Sequence, residues 1–173
     1  MVSRSQFVFT LLFGLVAVLY QIDTDPGVWE ASESAHIYAS REQLERFIGN
    51  PDSVEKWFRW VSLFKAADSR PFSIGKKFQA LYNVPFLGEY MMLFKVTKYQ
   101  PNTLMVLETD SLIKPRFTVL MEEGGTKGTR LTFKLRYRRI SALFQWTLGP
   151  FLYFLTGQQL QHSLFMLKMM FPF

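Results

Sequence analysis

Apolar and polar positions alternate with period two through the middle of the chain and give way to almost unbroken apolar runs at both ends. The cleanest alternation spans Thr129–Arg138. Leu131, Phe133, Leu135 and Tyr137 share one face there, and Arg130, Thr132, Lys134, Arg136 and Arg138 the other. That is the pattern of a strand with one face buried. Phe117, Val119 and Met121 alternate in the same way, as do Phe78, Ala80 and Tyr82. Strand-like runs lie at Val61–Ala67, Lys76–Tyr82, Tyr90–Tyr99, Leu104–Thr109, Arg116–Glu122 and Thr129–Arg138. Turn signals separate them: Arg70-Pro71, Asn83-Val84-Pro85, Gln100-Pro101-Asn102, Lys114-Pro115 and the glycine-rich stretch Gly124–Gly128. Strands so spaced predict an antiparallel meander.

Ahead of the meander, Val28–Ala39 reads as a strand. Ser40 with Gln43 forms a capping box, opening a short helix through Leu44, Phe47 and Ile48 that ends at Gly49-Asn50-Pro51. A second short helix is expected at Ser53–Phe58. The chain closes with a helical stretch, Ser141–Met170, that Gly149-Pro150 should break or kink. A sheet with one apolar face needs a cover, and this helix is the long element available to supply it. With Leu160 as inward reference and about 100° per residue, Tyr153, Gly157, Leu164, Leu167 and Phe171 share its inner face. The outer face carries Phe151, Leu155, Gln158, His162, Phe165 and Met169 and is mostly apolar, so it calls for a second partner: a membrane, another subunit or the N-terminal segment.

That N-terminal segment runs from Ser5 to Ile22 without a charge, with Arg4 before it and Asp23 and Asp25 after it. As a helix it is about 27 Å long at ~1.5 Å per residue, close to the roughly 30 Å of a bilayer's hydrocarbon core. Its end, Ala17-Val18-Leu19-Tyr20, lacks the small-x-small pattern of a signal peptidase site. The expectation is a retained membrane anchor, with a cleaved signal as the alternative, which would release the domain to a secreted, periplasmic or lumenal location. Arg4 would leave the domain on the outer or lumenal side. A turn-rich linker, Asp23–Gly27, follows, so the chain divides into residues 1–27 and a domain of residues 28–173.

Composition narrows the chemistry. The chain has 173 residues with no cysteine, which excludes a disulfide framework, thiolate catalysis and Cys-ligated zinc. Its 17% aromatic content, with 18 Phe, must fill a core, a cavity or a membrane. The net charge of +6 is localised, because no Asp or Glu follows Glu123 whereas Lys127, Arg130, Lys134, Arg136, Arg138, Arg139 and Lys168 do. Such a patch suits the solvated side of a sheet or an anionic lipid surface. Nucleic acid is disfavoured, because the aromatics of this strand face inward rather than standing among the basic residues.

Few residues are placed to do covalent work. His36 and His162 are the two histidines, and neither His-Glu-x-x-His, Gly-x-Ser-x-Gly nor a metal-spaced cluster occurs. Gly124–Gly128 lacks the order of a phosphate loop and lies between two strands. Glu108 ends the run Leu104–Leu107; pointing inward it would be an acid/base candidate with a raised pKa, but a rim carboxylate in water is the commoner situation. No catalytic residue, metal or cofactor is therefore assigned.

The ordered set of strand, two short helices, six-stranded meander and long closing helix resembles the START-like superfamily, also called SRPBCC or polyketide-cyclase-like. Local features are similar too. They are Ala35–Ser40 leading into a helix, Asn50-Pro51 before Trp57, Gly128–Thr132 opening the last strand, and Ser163-Leu164 with Leu167-Lys168 in the last helix. The likeness extends over residues 29–170. It implies an α+β helix-grip fold, a curved antiparallel sheet wrapped around the long C-terminal helix, enclosing a deep apolar cavity. The superfamily includes lipid and sterol carriers, quinone-binding proteins, plant hormone receptors and polyketide cyclases. The expected function is binding, and transfer, of a hydrophobic small molecule (lipid, sterol, isoprenoid or quinone) at a membrane; the alternative is a cyclase or dehydratase using the same cavity. The cavity is expected between sheet and last helix, lined by Phe78, Tyr82, Phe94, Phe117, Val119, Phe133, Leu135, Tyr153 and Leu160. Arg130, Lys134, Arg136, Arg138, Phe151 and Phe165 are expected to dock on the membrane.

Overall fold

A computed structural model describes residues 3–84, 88–125 and 128–172. Pro85, in the turn expected after Asn83, and Thr126 and Lys127, in the glycine-rich turn, lie outside the described residues. The elements follow the order α1 (Arg4–Gln21), β1 (Ala31–Ile37), α2 (Arg41–Ile48), α3 (Pro51–Trp57), β2 (Val61–Ala66), β3 (Lys77–Val84), β4 (Gly88–Gln100), β5 (Leu104–Glu108), β6 (Pro115–Glu123), β7 (Thr129–Tyr137) and α4 (Ala142–Met170). The strands form one antiparallel sheet in the order β1-β7-β6-β5-β4-β3-β2. β1 thus closes against the last strand, and the six that follow it make the expected meander.

Local chemistry accounts for the element ends. Ser40 accepts from the Gln43 backbone N–H while the Gln43 side chain accepts from the Ser40 N–H, starting α2. Asn50 caps α3, with Pro51 in the first helical position where its missing N–H costs nothing. Ser3 and Gln6 cap α1 in the same way as α2. Asn102 adopts a left-handed φ of 58° in the β4–β5 turn, a conformation that asparagine tolerates better than most residues.

In the meander the alternating pattern marks the buried face correctly. Phe78, Ala80 and Tyr82 of β3 are buried, as are Leu131, Phe133, Leu135 and Tyr137 of β7. Two expectations about the ends of the domain change. β1 begins at Ala31 rather than Val28, because the chain turns just before it and sets Trp29 across α4. Trp29 stands edge-on to Trp146 with centroids 6.3 Å apart and tilts against Tyr153 at 5.9 Å. Gly149 makes this contact possible, since a Cβ there would lie 2.5 Å from the Trp29 ring. α4 also runs unbroken through Pro150.

The inner face of α4 is rotated from the expected one. Leu152, Thr156, Gln159, Leu160, Ser163, Leu164 and Leu167 are buried, whereas Tyr153 is 44% exposed. Three of these buried residues are polar, and a reading by hydrophobicity turns them outward. They are satisfied inside: Gln159 Nε2 donates to Ser163 Oγ at 3.1 Å, and Thr156 Oγ1 bonds the Tyr137 hydroxyl at 3.1 Å. Small side chains on this face let α4 lie close against β1, its principal neighbour, and against β7 and α3.

α1 packs only at its foot. No residue of it is buried, and it is long and apolar enough to cross a membrane. Its C-terminal end is joined to the start of α4 by Ala142 N–H donating to Ile22 O at 2.7 Å and Thr24 N–H donating to Ile140 O at 2.7 Å. Arg139 lies over the Tyr20 ring at 5.3 Å.

Candidate ligand-binding site

An apolar slot lies under α2 and α3. Ile48, Gly49, Val54, Trp57 and Phe58 roof it, and β2 and the segment after it supply Val61, Phe64 and Phe72. The sheet supplies the floor: Phe78 and Tyr82 of β3, Phe94 of β4, Met105 and Leu107 of β5, Pro115, Phe117 and Val119 of β6, and Leu135 of β7. Aromatic rings pack edge and face around it. Phe64 stacks on Phe78 at 4.9 Å, Phe58 leans on Phe117 at 5.4 Å, and Tyr82 stands 6.3 Å from both Phe58 and Phe94. The open volume is about 60 Å³, room for a few waters. Cavities that enclose drug-sized ligands hold ~300–1,000 Å³, several times this volume.

Six of the nine residues expected to line the cavity do border the slot: Phe78, Tyr82, Phe94, Phe117, Val119 and Leu135. Phe133 and Leu160 are fully buried but do not reach it. Phe133 supports the wall from behind, with its ring 5.2 Å from those of both Trp57 and Phe117. Tyr153 points the other way, onto Trp29. Gly157 does not line the slot either. The slot lies beneath α3 and not between the sheet and α4: Trp57 and Phe58, at the end of α3, border it, and no α4 residue does. Their importance was not legible in the sequence, because a short helix with a single Trp-Phe end does not announce which layer it enters.

Two polar atoms in the slot walls stand out. Trp57 Nε1 and the Tyr82 hydroxyl are buried without a hydrogen-bond partner in bonding geometry. Burial, and then the neighbouring Tyr137 phenol, push the Tyr82 hydroxyl well above the ordinary phenol range, so it stays protonated and neutral. Burial likewise raises Tyr137.

The remaining candidates lie outside the slot. Glu108 is on the outer face of the sheet, paired with Arg116 and with Arg138 at 3.4 Å. Arg138 also reaches Asp110 at 3.6 Å, and Arg136 lies 3.8 Å from Glu30. The basic run that looked uncompensated in the sequence is therefore partly neutralised by carboxylates brought from distant positions. Arg130 is exposed and Lys134 half-buried, both on the outer face of β7. Phe151 and Phe165 are exposed on α4 as expected, and so are Trp146, Phe154 and Met169, whereas Gln158, Gln161 and His162 between them are polar. Among the described residues no group of His, Asp or Glu is placed to hold a metal.

Helix α2 is fastened to the β4–β5 turn beside the slot. Glu45 of α2 accepts from the Tyr99 hydroxyl at 2.5 Å and from the Asn102 backbone N–H. The carboxylate bond, then burial, raise the Tyr99 pKa to about 12. Phe72 packs edge-on against Tyr99 at 5.1 Å. Below it, Lys76 pairs with Asp68 at 2.9 Å, and this bond holds the Asp68 carboxyl below its ordinary range.

No protein-family model and no curated protein matches the chain. Solved structures do match. A START superfamily protein from Mycobacterium smegmatis superposes with a TM-score of 0.67 at 14% identity, covering 82% of this chain and 96% of that one. A protein from Thermus thermophilus gives 0.65 at 14% identity over 81% and 94%. One from Deinococcus radiodurans gives 0.61 at 17% identity over 81% and 95%. The chain has the START-like helix-grip fold.

Proposed function

We propose that this protein binds a hydrophobic small molecule, of the lipid, sterol, isoprenoid or quinone kind, in the ring-walled slot, and exchanges it with a membrane to which α1 tethers the domain. The observation that carries the reading is the slot's lining. Its residues are hydrocarbon and aromatic throughout, with Tyr82 as the one titratable side chain, and that phenol stays neutral. Such walls offer contact area and no proton-carrying pair, which favours holding a ligand over a cyclase or dehydratase reaction. The fold supports the reading at the level of class, since a START superfamily protein shares it.

At a volume of about 60 Å³, binding such a ligand requires the roof to lift. α2 and α3 are two short helices fastened at the rim by Glu45, and Phe64 and Phe72 at that end are only partly buried. Ligand entry there needs displacement of rings rather than rupture of the sheet.

The tether and the exposed apolar residues form the membrane side of the proposal. Tyr20, Ile22, Leu112, Ile140 and Trp146 are exposed around the foot of α1. Phe151 is ~15 Å from the start of α4 and Phe165 ~36 Å at 1.5 Å per residue, so both enter an interface only if α4 lies along it. Tethering makes weak docking effectively intramolecular. Arg130 and Lys134 contribute about 1 kcal/mol each where they meet anionic headgroups.

Extraction of the purified full chain followed by mass spectrometry tests the binding. A stoichiometric apolar molecule distinct from the bulk bilayer lipid is the expected result. A chain that carries none, and takes up none from vesicles, overturns the reading. Glu108→Gln and His162→Ala should leave ligand binding within about tenfold, roughly 1.4 kcal/mol, because both side chains lie outside the slot.

A further inference from the structure

Polar groups at a protein surface are solvated, but a buried donor without a partner forgoes its hydration, and native interiors leave few of them. In this chain two such groups border one apolar space. Trp57 Nε1–H is buried and unpartnered, the Tyr82 hydroxyl is buried with only the Tyr137 phenol beside it and no partner in bonding geometry, and both residues line the slot. They flank the same side chain: Phe58 lies 5.6 Å from the Trp57 ring and 6.3 Å from the Tyr82 ring. Trp57 is held by its stack on Phe133 at 5.2 Å, a contact that makes no use of the indole N–H.

We infer that the slot selects an apolar ligand carrying a neutral acceptor oxygen, of the ketone, aldehyde, ester or quinone type, and that Trp57 Nε1–H and the Tyr82 hydroxyl donate to it. This rests on the ligand-binding reading above and deepens it. An indole N–H can only donate, so the group opposite must be an acceptor. The ligand oxygen must also be uncharged. No cation lines the slot, and burying an unpaired carboxylate in such a space is far costlier than burying a carbonyl. The Tyr82 hydroxyl has Tyr137 beside it, and Tyr137 is in turn bonded to Thr156 of α4 at 3.1 Å. A pure hydrocarbon of the same size would fill the slot and leave both donors unsatisfied.

A matched pair of probes separates these cases. The full chain, with its four tryptophans labelled at the indole nitrogen, is placed in detergent micelles. It is titrated with 2-tridecanone and, separately, with tridecane at equal mole fraction in the micelle. The Trp57 indole N–H resonance is identified by its loss in Trp57→Phe. The expected result is a saturable downfield shift of that resonance by the ketone and binding at least tenfold tighter than the alkane. Tyr82→Phe and Trp57→Phe should each lower the ratio of ketone to alkane affinity severalfold. If ketone and alkane bind alike in the unaltered chain, the acceptor-oxygen inference falls while ligand binding stands. If neither probe perturbs any indole resonance of a folded chain, ligand binding itself falls, and the inference with it.

Discussion

The two halves of the domain are built from the same sheet and covered in opposite ways. Over β1 and β7 lies α4, whose inner face sets polar residues among its leucines, Thr156 bonded to Tyr137 and Gln159 to Ser163. Over β2 to β6 lie α2, α3 and their aromatic ends, which leave a slot and two donors unpaired. Close backbone approach and satisfied hydrogen bonds make the first half a clamp. Large flat rings that cannot tile a curved surface without gaps make the second half a place where something else can fit. A void costs the dispersion contacts its walls forgo, and orphan donors cost more, so a ligand that fills both deficits is bound partly by relieving them.

The largest expected effect lies in the clamp. Leu160→Ala removes a fully buried side chain facing β1 and β7 and should cost about 2–5 kcal/mol, read as a lowered denaturant midpoint, without changing ligand affinity. Equal destabilisation and loss of binding would erase the distinction between the halves. Gly149→Ala comes next. Its new methyl meets Trp29 at 2.5 Å, so the gain in helix propensity is outweighed and stability falls by about 1–3 kcal/mol; tryptophan fluorescence should report Trp29 moving away from Trp146 and Tyr153.

In the slot the balance reverses. Phe64→Ala should cost only about 1–2 kcal/mol, because the ring is partly exposed and already borders open space. The same change enlarges the entrance, and uptake of an apolar fluorophore should become faster. Slower uptake would place the entrance elsewhere.

Tyr99→Phe tests the fastening of α2. Loss of the hydroxyl's bond to Glu45 should cost about 1 kcal/mol, a charge-assisted bond discounted for solvent. The pH dependence has a definite sign. The Tyr99 pKa rises from 10.0 to about 12 on folding, so its contribution is complete below pH ~10 and is lost as pH rises toward 12. The unaltered chain should lose stability across that window more steeply than Tyr99→Phe in alkaline denaturant titrations. Phe165→Ser should have the smallest effect, within about 0.5 kcal/mol, since the ring is 57% exposed. If α4 lies along a bilayer, the same substitution should reduce vesicle binding by a truncation beginning at Val28.

The order and type of the elements are written locally. Period-two alternation marks the strands, Ser40 with Gln43 and Asn50 with Pro51 mark the short helices, and the uncharged run after Arg4 marks α1. Each depends on residues within a few positions of one another. The direction of the sheet's apolar face follows from the same alternation, and six slot residues with it. What the tertiary structure alone decided involves residues that meet from far apart. The phase of α4 turns on Thr156, Gln159 and Ser163, polar side chains that are buried because partners exist on β7 or one helical turn away. The basic strand is tempered by Glu30, Glu108 and Asp110, which only the fold delivers to it. The slot lies beneath α3 and not beneath α4, with Trp57 and Phe58 in its wall. Hydrophobicity says that a side chain will be buried; against which surface, and with what gap left over, depends on the shapes of the parts that arrive there.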